Sequence, residues 1–108
     1  MKHLVLNYFK NWNHQLFDLN RMQVSPVCVI LDHSRQSSYP SYESYWNEKQ
    51  TTLQGMQFDI QRCDDFDDMV IVLAQVSKQK EVKYDYIGYF NTEEEQIRKI
   101  EEYWCERR

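Results

Sequence analysis

The chain has 108 residues, a length that fits one domain over 1–108 and leaves little room for two. Hydrophobic residues make up 42% and charged residues 28%, the proportions of an ordinary globular domain; aromatics reach 15% with only 2 Gly and 2 Pro, so the composition is not that of a disordered segment. The net charge of −4, with no Lys/Arg cluster, argues against nucleic-acid binding, which needs a basic face to neutralise phosphates.

The three cysteines, Cys28, Cys63 and Cys105, are far apart, without CxxC or metal-ligand spacing, and are expected to be free thiols in a reduced, cytoplasmic protein. The opening residues show no signal-peptide pattern, because Asn7 and Lys10 interrupt the apolar stretch too early. No apolar run approaches ~18 residues, so no membrane span is expected.

In chain order, Leu4, Val5, Tyr8, Phe9, Trp12 and Leu16 recur at three- and four-residue spacing and predict a helix over roughly 2–15. Phe17 to Met22 begins a second, shorter helix with Asp18 as a plausible N-cap, ended by Ser25-Pro26. Val27 to Leu31 is short, apolar and mostly β-branched and predicts a buried strand. Residues 33–39 form a polar loop, and Pro40 suits the first turn of a third helix whose inner stripe is Tyr42, Tyr45, Trp46 and Lys49.

The second half changes period. Met56 to Arg62 alternates apolar and polar residues, predicting a strand with one wet face. An acidic turn over 64–68 follows, then strands over 69–78, 81–90 and 96–105, with turns at Lys80-Glu81 and over 91–95. Helices first and a meander of strands after them imply an α+β domain, with the helices packed on one face of a curved antiparallel sheet.

That pattern resembles a known superfamily. Leu6 to His14, with its aromatic pair and Trp-Asn, is similar to the family's first helix, and Asp18-Leu19 to its second. Val29-Ile30-Leu31-Asp32-His33 is similar to its first strand, which commonly closes on Asp, and Tyr42 to Trp46 to its third helix. Tyr86 to Phe90 followed by Ile97 to Trp104 is similar to its final hairpin. The chain thus resembles the nuclear transport factor two-like (SnoaL-like, ketosteroid isomerase-like) superfamily along nearly its whole length. The resemblance implies a cone-shaped α+β barrel, with three helices from the first half on the concave face of the sheet. It also implies an apolar pocket at the cone's mouth and homodimerisation through the outer sheet face. Outward candidates for that dimer are Tyr84 or Asp85, Tyr89, Ile100 and Trp104, depending on the phase of the strands. The superfamily holds enzymes and pure binding proteins, so fold alone leaves function open.

Asp32 is the sharpest candidate for chemistry. At the end of an apolar strand a carboxylate is partly desolvated, its pKa can rise, and it can serve as a general base. By resemblance it matches the base of the isomerase, and it is expected near Tyr8; the bland reading is that Asp32 caps the following loop. Tyr8 matches the isomerase phenol that donates to the substrate oxygen, against the reading that it is a core aromatic of a helical stripe. On the late strand the isomerase carries a protonated Asp. Here that place falls on Tyr86 or Asp85, and strand neighbours point to opposite faces, so only one of them lines the pocket. Trp12, His33, Tyr42, Tyr45, Trp46 and Tyr86 are the candidate ligand-binding residues. His3, His14 and His33 are too scattered for a metal site, the run over 64–68 lacks the Ca²⁺-loop pattern, and no cofactor or metal is expected. The functional expectation is a small dimeric domain that binds a small hydrophobic molecule or a partner protein. The alternative is a cofactor-independent isomerase, dehydratase or cyclase with Asp32 as general base. A third possibility is a cone packed shut by its own aromatics.

Overall fold

The structure, a computed structural model, describes residues 1–107. The elements run α1 (Lys2–Asn13), α2 (Phe17–Gln23), β1 (Val24–Asp32), β2 (Ser37–Tyr39), α3 (Tyr42–Leu53), β3 (Met56–Phe66), β4 (Met69–Lys78), β5 (Glu81–Glu93) and β6 (Gln96–Glu106). The strands form one six-stranded sheet in the order β2-β1-β6-β5-β4-β3. From β3 to β6 it is an antiparallel meander, as the alternating pattern predicts. β1 then joins it parallel to β6, and β2 folds back on β1, which makes the sheet mixed. The sheet curves without closing, so β2 and β3 remain edges. This is the α+β cone expected from the sequence.

The apolar stripe of α1, Leu4, Val5, Tyr8, Phe9 and Trp12, is buried. It packs toward β3, and the inner face of α3 packs on β1. Burying an apolar side chain of this size stabilises by roughly 1.5–3 kcal/mol. Asn13 at the end of α1 also protects the exposed edge of β3. Its amide donates to the Phe58 carbonyl at 2.8 Å, and its side-chain oxygen accepts from the Phe58 N–H at 2.6 Å. The side chain thus occupies main-chain groups that an edge strand leaves unpaired.

The local boundaries differ from the expected ones for identifiable reasons. Asp18 lies inside the first turn of α2, and Leu16 takes the N-cap position without a side-chain hydrogen bond. Ser25-Pro26 lies within β1; the β1–β6 register shifts between Val24 and Val29, so Pro26 falls in the gap where no ladder donor is required. The 33–39 loop contains the short strand β2. Pro40 precedes α3 instead of entering it. Ser41 is the cap: its hydroxyl accepts from the Ser44 N–H at 3.2 Å, and the Ser44 hydroxyl accepts from the Ser41 N–H at 3.3 Å. Such a reciprocal cap satisfies donors that the first turn leaves free. Ser41→Ala is therefore expected to lower stability by about 1 kcal/mol, read as a shift of the urea midpoint without a change in slope.

Candidate polar cleft at the end of the sheet

Most of the cone is filled. Tyr8, Phe9, Phe58, Tyr86 and Phe90 meet edge-to-face or tilted, with ring centroids 4.9–5.8 Å apart. This is the geometry in which aromatic quadrupoles attract. What remains open is a cleft between α3 and the ends of β1, β5 and β6. Asp32, Lys49 and Tyr45 form its polar side, and Leu53, Met56, Tyr84 and Trp104 its apolar side. The cleft leaves only about 10 Å³ of water-accessible volume, space for about one water. A separate, wider groove of about 340 Å³ lies next to it and shares Thr52, Met56 and Tyr84 with it.

Asp32 ends β1, and its side chain is fully buried. Oδ1 is engaged by its own loop, accepting from the Ser34 hydroxyl at 2.7 Å and the Arg35 N–H at 3.3 Å. The capping reading of Asp32 thus describes one oxygen. Oδ2 accepts no hydrogen bond from any described residue. The Lys49 ammonium lies 3.7 Å from it, close enough for charge attraction but too long for a hydrogen bond. Lys49 is itself buried, on the inner stripe of α3. Asp32 thus faces a cation where apolar neighbours were expected.

Behind this pair sits a second carboxylate, Glu102 on β6, which is also buried. It accepts from the Tyr86 hydroxyl at 2.8 Å, the Tyr45 hydroxyl at 3.0 Å and the Trp104 indole N–H at 3.1 Å. Burial pushes the Glu102 carboxyl above its ordinary range and the nearby Asp32 charge adds to this, while the three donors pull it back. Burial likewise pushes the Tyr45 and Tyr86 phenols well up, with Glu102 as the next cause, so both remain neutral donors.

No family model matches the chain, and no curated protein matches it in sequence. Solved structures do. A candidate ketosteroid isomerase from Kribbella flavida superimposes with a TM-score of 0.88 at 11% identity, covering 99% of this chain and 78% of that one. A candidate polyketide cyclase from Sinorhizobium meliloti gives 0.78 at 15% identity, covering 93% of each chain. An epoxide hydrolase of M. tuberculosis, described as LEH-like, gives 0.76 at 12% identity, covering 94% of this chain and 80% of that one.

The chain has the nuclear transport factor two-like fold. Identities this low establish the architecture alone.

Within this fold the candidate residues separate into distinct places. Asp32 and Tyr45 line the cleft, and Tyr86 lies beneath it on Glu102. Of the two alternatives on β5, Tyr86 points inward, and Asp85 points out to pair with Arg107 at 2.8 Å. Tyr8 is a buried aromatic off the cleft; its hydroxyl accepts from the Tyr42 hydroxyl at 3.3 Å. Trp12 stacks with Tyr8 in the core. Trp46 packs on Phe17, ring centroids 4.4 Å apart, in a shallow surface groove. His33 is on the other side of the sheet, 2.9 Å from Glu101 and stacked on Tyr103. Two members of the cleft's polar group, Lys49 and Glu102, were not among the sequence candidates. Among the described residues no group of His, Cys, Asp or Glu is arranged to hold a metal ion, and no helix is long and apolar enough to cross a membrane.

Proposed function

We propose that the protein is a small ligand-binding domain whose cleft holds one end of a small molecule against Asp32, and that it works as a homodimer. The observation that carries the first part is Asp32 Oδ2. A buried polar atom without a hydrogen-bond partner costs about 1–3 kcal/mol; Oδ2 is itself covered, but Asp32 lines the cleft and a buried lysine stands 3.7 Å from that oxygen. A ligand hydroxyl or amine donating to Oδ2 removes that cost. Apolar Met56, Tyr84 and Trp104 then flank the rest of the molecule. The narrow deep end admits a terminal group and excludes a bulky ring system. In a thermal-shift screen of small hydroxyl- and amine-bearing compounds, binders should raise the melting temperature of the wild type. Asp32→Asn, which keeps the shape but offers an amide, should lose at least about tenfold in affinity for the same binders. Equal affinity in both proteins would remove Asp32 from the site.

A second reading is a cofactor-independent enzyme with Asp32 as general base, favoured by a carboxylate that lines the cleft and keeps one oxygen out of any hydrogen bond. In that reading the Lys49 ammonium stands beside the base, where the sequence placed the neutral phenol of Tyr8. The two readings part on whether a bound compound changes with time: an enzyme alters its NMR spectrum on incubation, and a binding domain leaves it unchanged.

The dimer reading rests on the outer sheet face. Leu73, Ile87 and Tyr103 are partners in register across β4, β5 and β6 and are all exposed. Tyr89 beside them points the same way, whereas Ile100 is in the core and Tyr84 and Trp104 pack against it. A contiguous apolar row of this kind is the usual mark of an interface. Light scattering should report a dimer at micromolar concentration, and Ile87→Lys should convert it to monomer; a monomeric wild type would contradict the dimer without touching the cleft.

A further inference from the structure

A shallow groove in the helix layer shares no residue with the cleft and stands independently of the ligand-binding reading above. Its walls are Phe17, Trp46, Gln50, Thr51 and Gln54, and it holds about 210 Å³ of water-accessible space. Trp46, Gln50 and Gln54 follow one another at four-residue spacing along α3, which sets them on one side of that helix. The floor is aromatic and braced from below. The Phe17 and Trp46 rings lie 4.4 Å apart between centroids, and both meet buried Trp12 edge-on, at 4.8 and 5.8 Å. Both remain partly open to water. Although 28% of the chain is charged, no charged side chain lines this groove. Gln50, Thr51 and Gln54 are exposed, and their side chains form no hydrogen bond to any described residue.

We propose that this groove binds a neutral carbohydrate: one sugar ring rests on the aromatic floor of Trp46 and Phe17, and its hydroxyls exchange hydrogen bonds with Gln50, Thr51 and Gln54. A pyranose ring presents a face of C–H bonds and a rim of hydroxyls. The C–H hydrogens carry partial positive charge and are drawn to the negative face of an aromatic ring. Each glutamine amide both donates and accepts, as does the threonine hydroxyl, and sugar hydroxyls do the same. Other ligand classes fit the lining less well. A charged group finds no countercharge among the wall residues. A purely apolar segment would cover two amides and a hydroxyl and return no hydrogen bond. An open-chain polyol returns the hydrogen bonds but leaves the rings in water.

The test is a two-dimensional NMR titration of the full chain at millimolar concentration, read at the Trp46 indole N–H and the side-chain amides of Gln50 and Gln54. The probes are cellobiose, mannitol and cyclohexanol: rings with many hydroxyls, hydroxyls without a ring, and a ring with one hydroxyl. Cellobiose should bind at least about tenfold tighter than either of the others, and added salt should leave its affinity unchanged because no charge takes part. The double variant Gln50→Ala/Gln54→Ala changes exposed positions to a good helix former, so it should keep the fold while weakening cellobiose about tenfold and cyclohexanol by no more than about twofold. Trp46→Leu, which keeps an apolar contact with Trp12 but offers no ring face, should weaken cellobiose at least as much. Asp32→Asn should leave cellobiose binding unchanged, which separates this groove from the cleft. The carbohydrate assignment is overturned, with the cleft untouched, if cellobiose moves none of these resonances, if mannitol or cyclohexanol binds as well, or if the double variant binds cellobiose like the wild type.

Discussion

Glu102→Ala is expected to lower stability by about 3–5 kcal/mol, corresponding to a fall in melting temperature of about 12 °C or more for a domain of this size. The cause is not the loss of one contact. Tyr45, Tyr86 and Trp104 all aim a buried donor at this carboxylate, at 2.8–3.1 Å. Without it each donor is left unsatisfied, at about 1–3 kcal/mol apiece, and the total is smaller than the sum because the donors share one acceptor and can partly relax. Glu102→Gln keeps the volume and most of the acceptor capacity, so it should cost no more than about 1 kcal/mol near neutral pH, where it also removes a buried charge. The pair of variants has a pH signature. Burial raises the Glu102 carboxyl above its ordinary 4.5 in the folded protein. Between those two values the native state holds a proton that the unfolded chain has released, so the group's contribution is full below about 4.5 and is lost as pH rises through the raised value. The stability of the wild type relative to Glu102→Gln should fall across that window in urea unfolding. A flat difference, or a loss below about 1 kcal/mol for Glu102→Ala, would mean that this network is not what holds the end of the sheet together.

The second large effect is at Gly88, directly across the ladder from Glu102. Gly88 points into the core beside two aromatic rings. A methyl group there would lie 2.6 Å from Phe90 Cε1, 2.7 Å from the Tyr86 hydroxyl and 2.8 Å from Tyr86 Cε1. Real carbon contacts do not come so close. The Tyr86 hydroxyl cannot simply step aside, because it is buried and committed to Glu102. Gly88→Ala is therefore expected to cost about 3 kcal/mol, the upper part of the range for overpacking, and to break the Tyr86–Glu102 hydrogen bond. Calorimetry measures the first, and a shifted Trp104 indole resonance reports the second through the shared carboxylate. A stable Gly88→Ala protein with an unmoved indole would show that the core yields more easily than its packing implies.

The periodic parts of the chain were legible without a structure. The stripe of α1 and the alternation of Met56, Phe58 and Ile60 are dictated by which faces must leave water, and the strand over 69–78 matches β4. The hairpin turns were legible in place but not in extent, for a local reason. β4–β5 and β5–β6 turn at Gln79-Lys80 and Glu94-Glu95, all four with positive φ of 52–67°. Tight hairpins need that conformation, but usually with Asn or Gly. Asn91 and Thr92, which look like turn residues, instead extend β5, with Thr92 buried. The parallel β1–β6 pairing was invisible because it joins segments far apart in sequence and leaves no short-range pattern.

The site was half legible. Asp32 stood out by ending an apolar strand, but its two oxygens do different things, which no residue pattern records. Glu102 did leave a signal. Glu101 and Glu102 are adjacent on a strand, neighbours on a strand face opposite sides, and so one acid had to point into the core. Lys49 left one too, since a lysine in the inner stripe of a helix needs a buried partner. Tyr8 and Trp12 carried the pattern of a pocket lining, but a stripe of aromatics has the same period whether it lines a cavity or fills one.

The most direct measurement is an electron-density map of the cleft, from crystals of the wild type and of Asp32→Asn soaked in a small hydroxyl- or amine-bearing compound selected by the thermal-shift screen. The expected result is a non-protein group within hydrogen-bonding distance, about 2.6–3.2 Å, of Asp32 Oδ2 in the wild type and absent from the variant. The contradicting result is a cleft closed by Lys49, its ammonium moved from 3.7 Å to direct hydrogen-bond contact with Oδ2 and no room left for a guest.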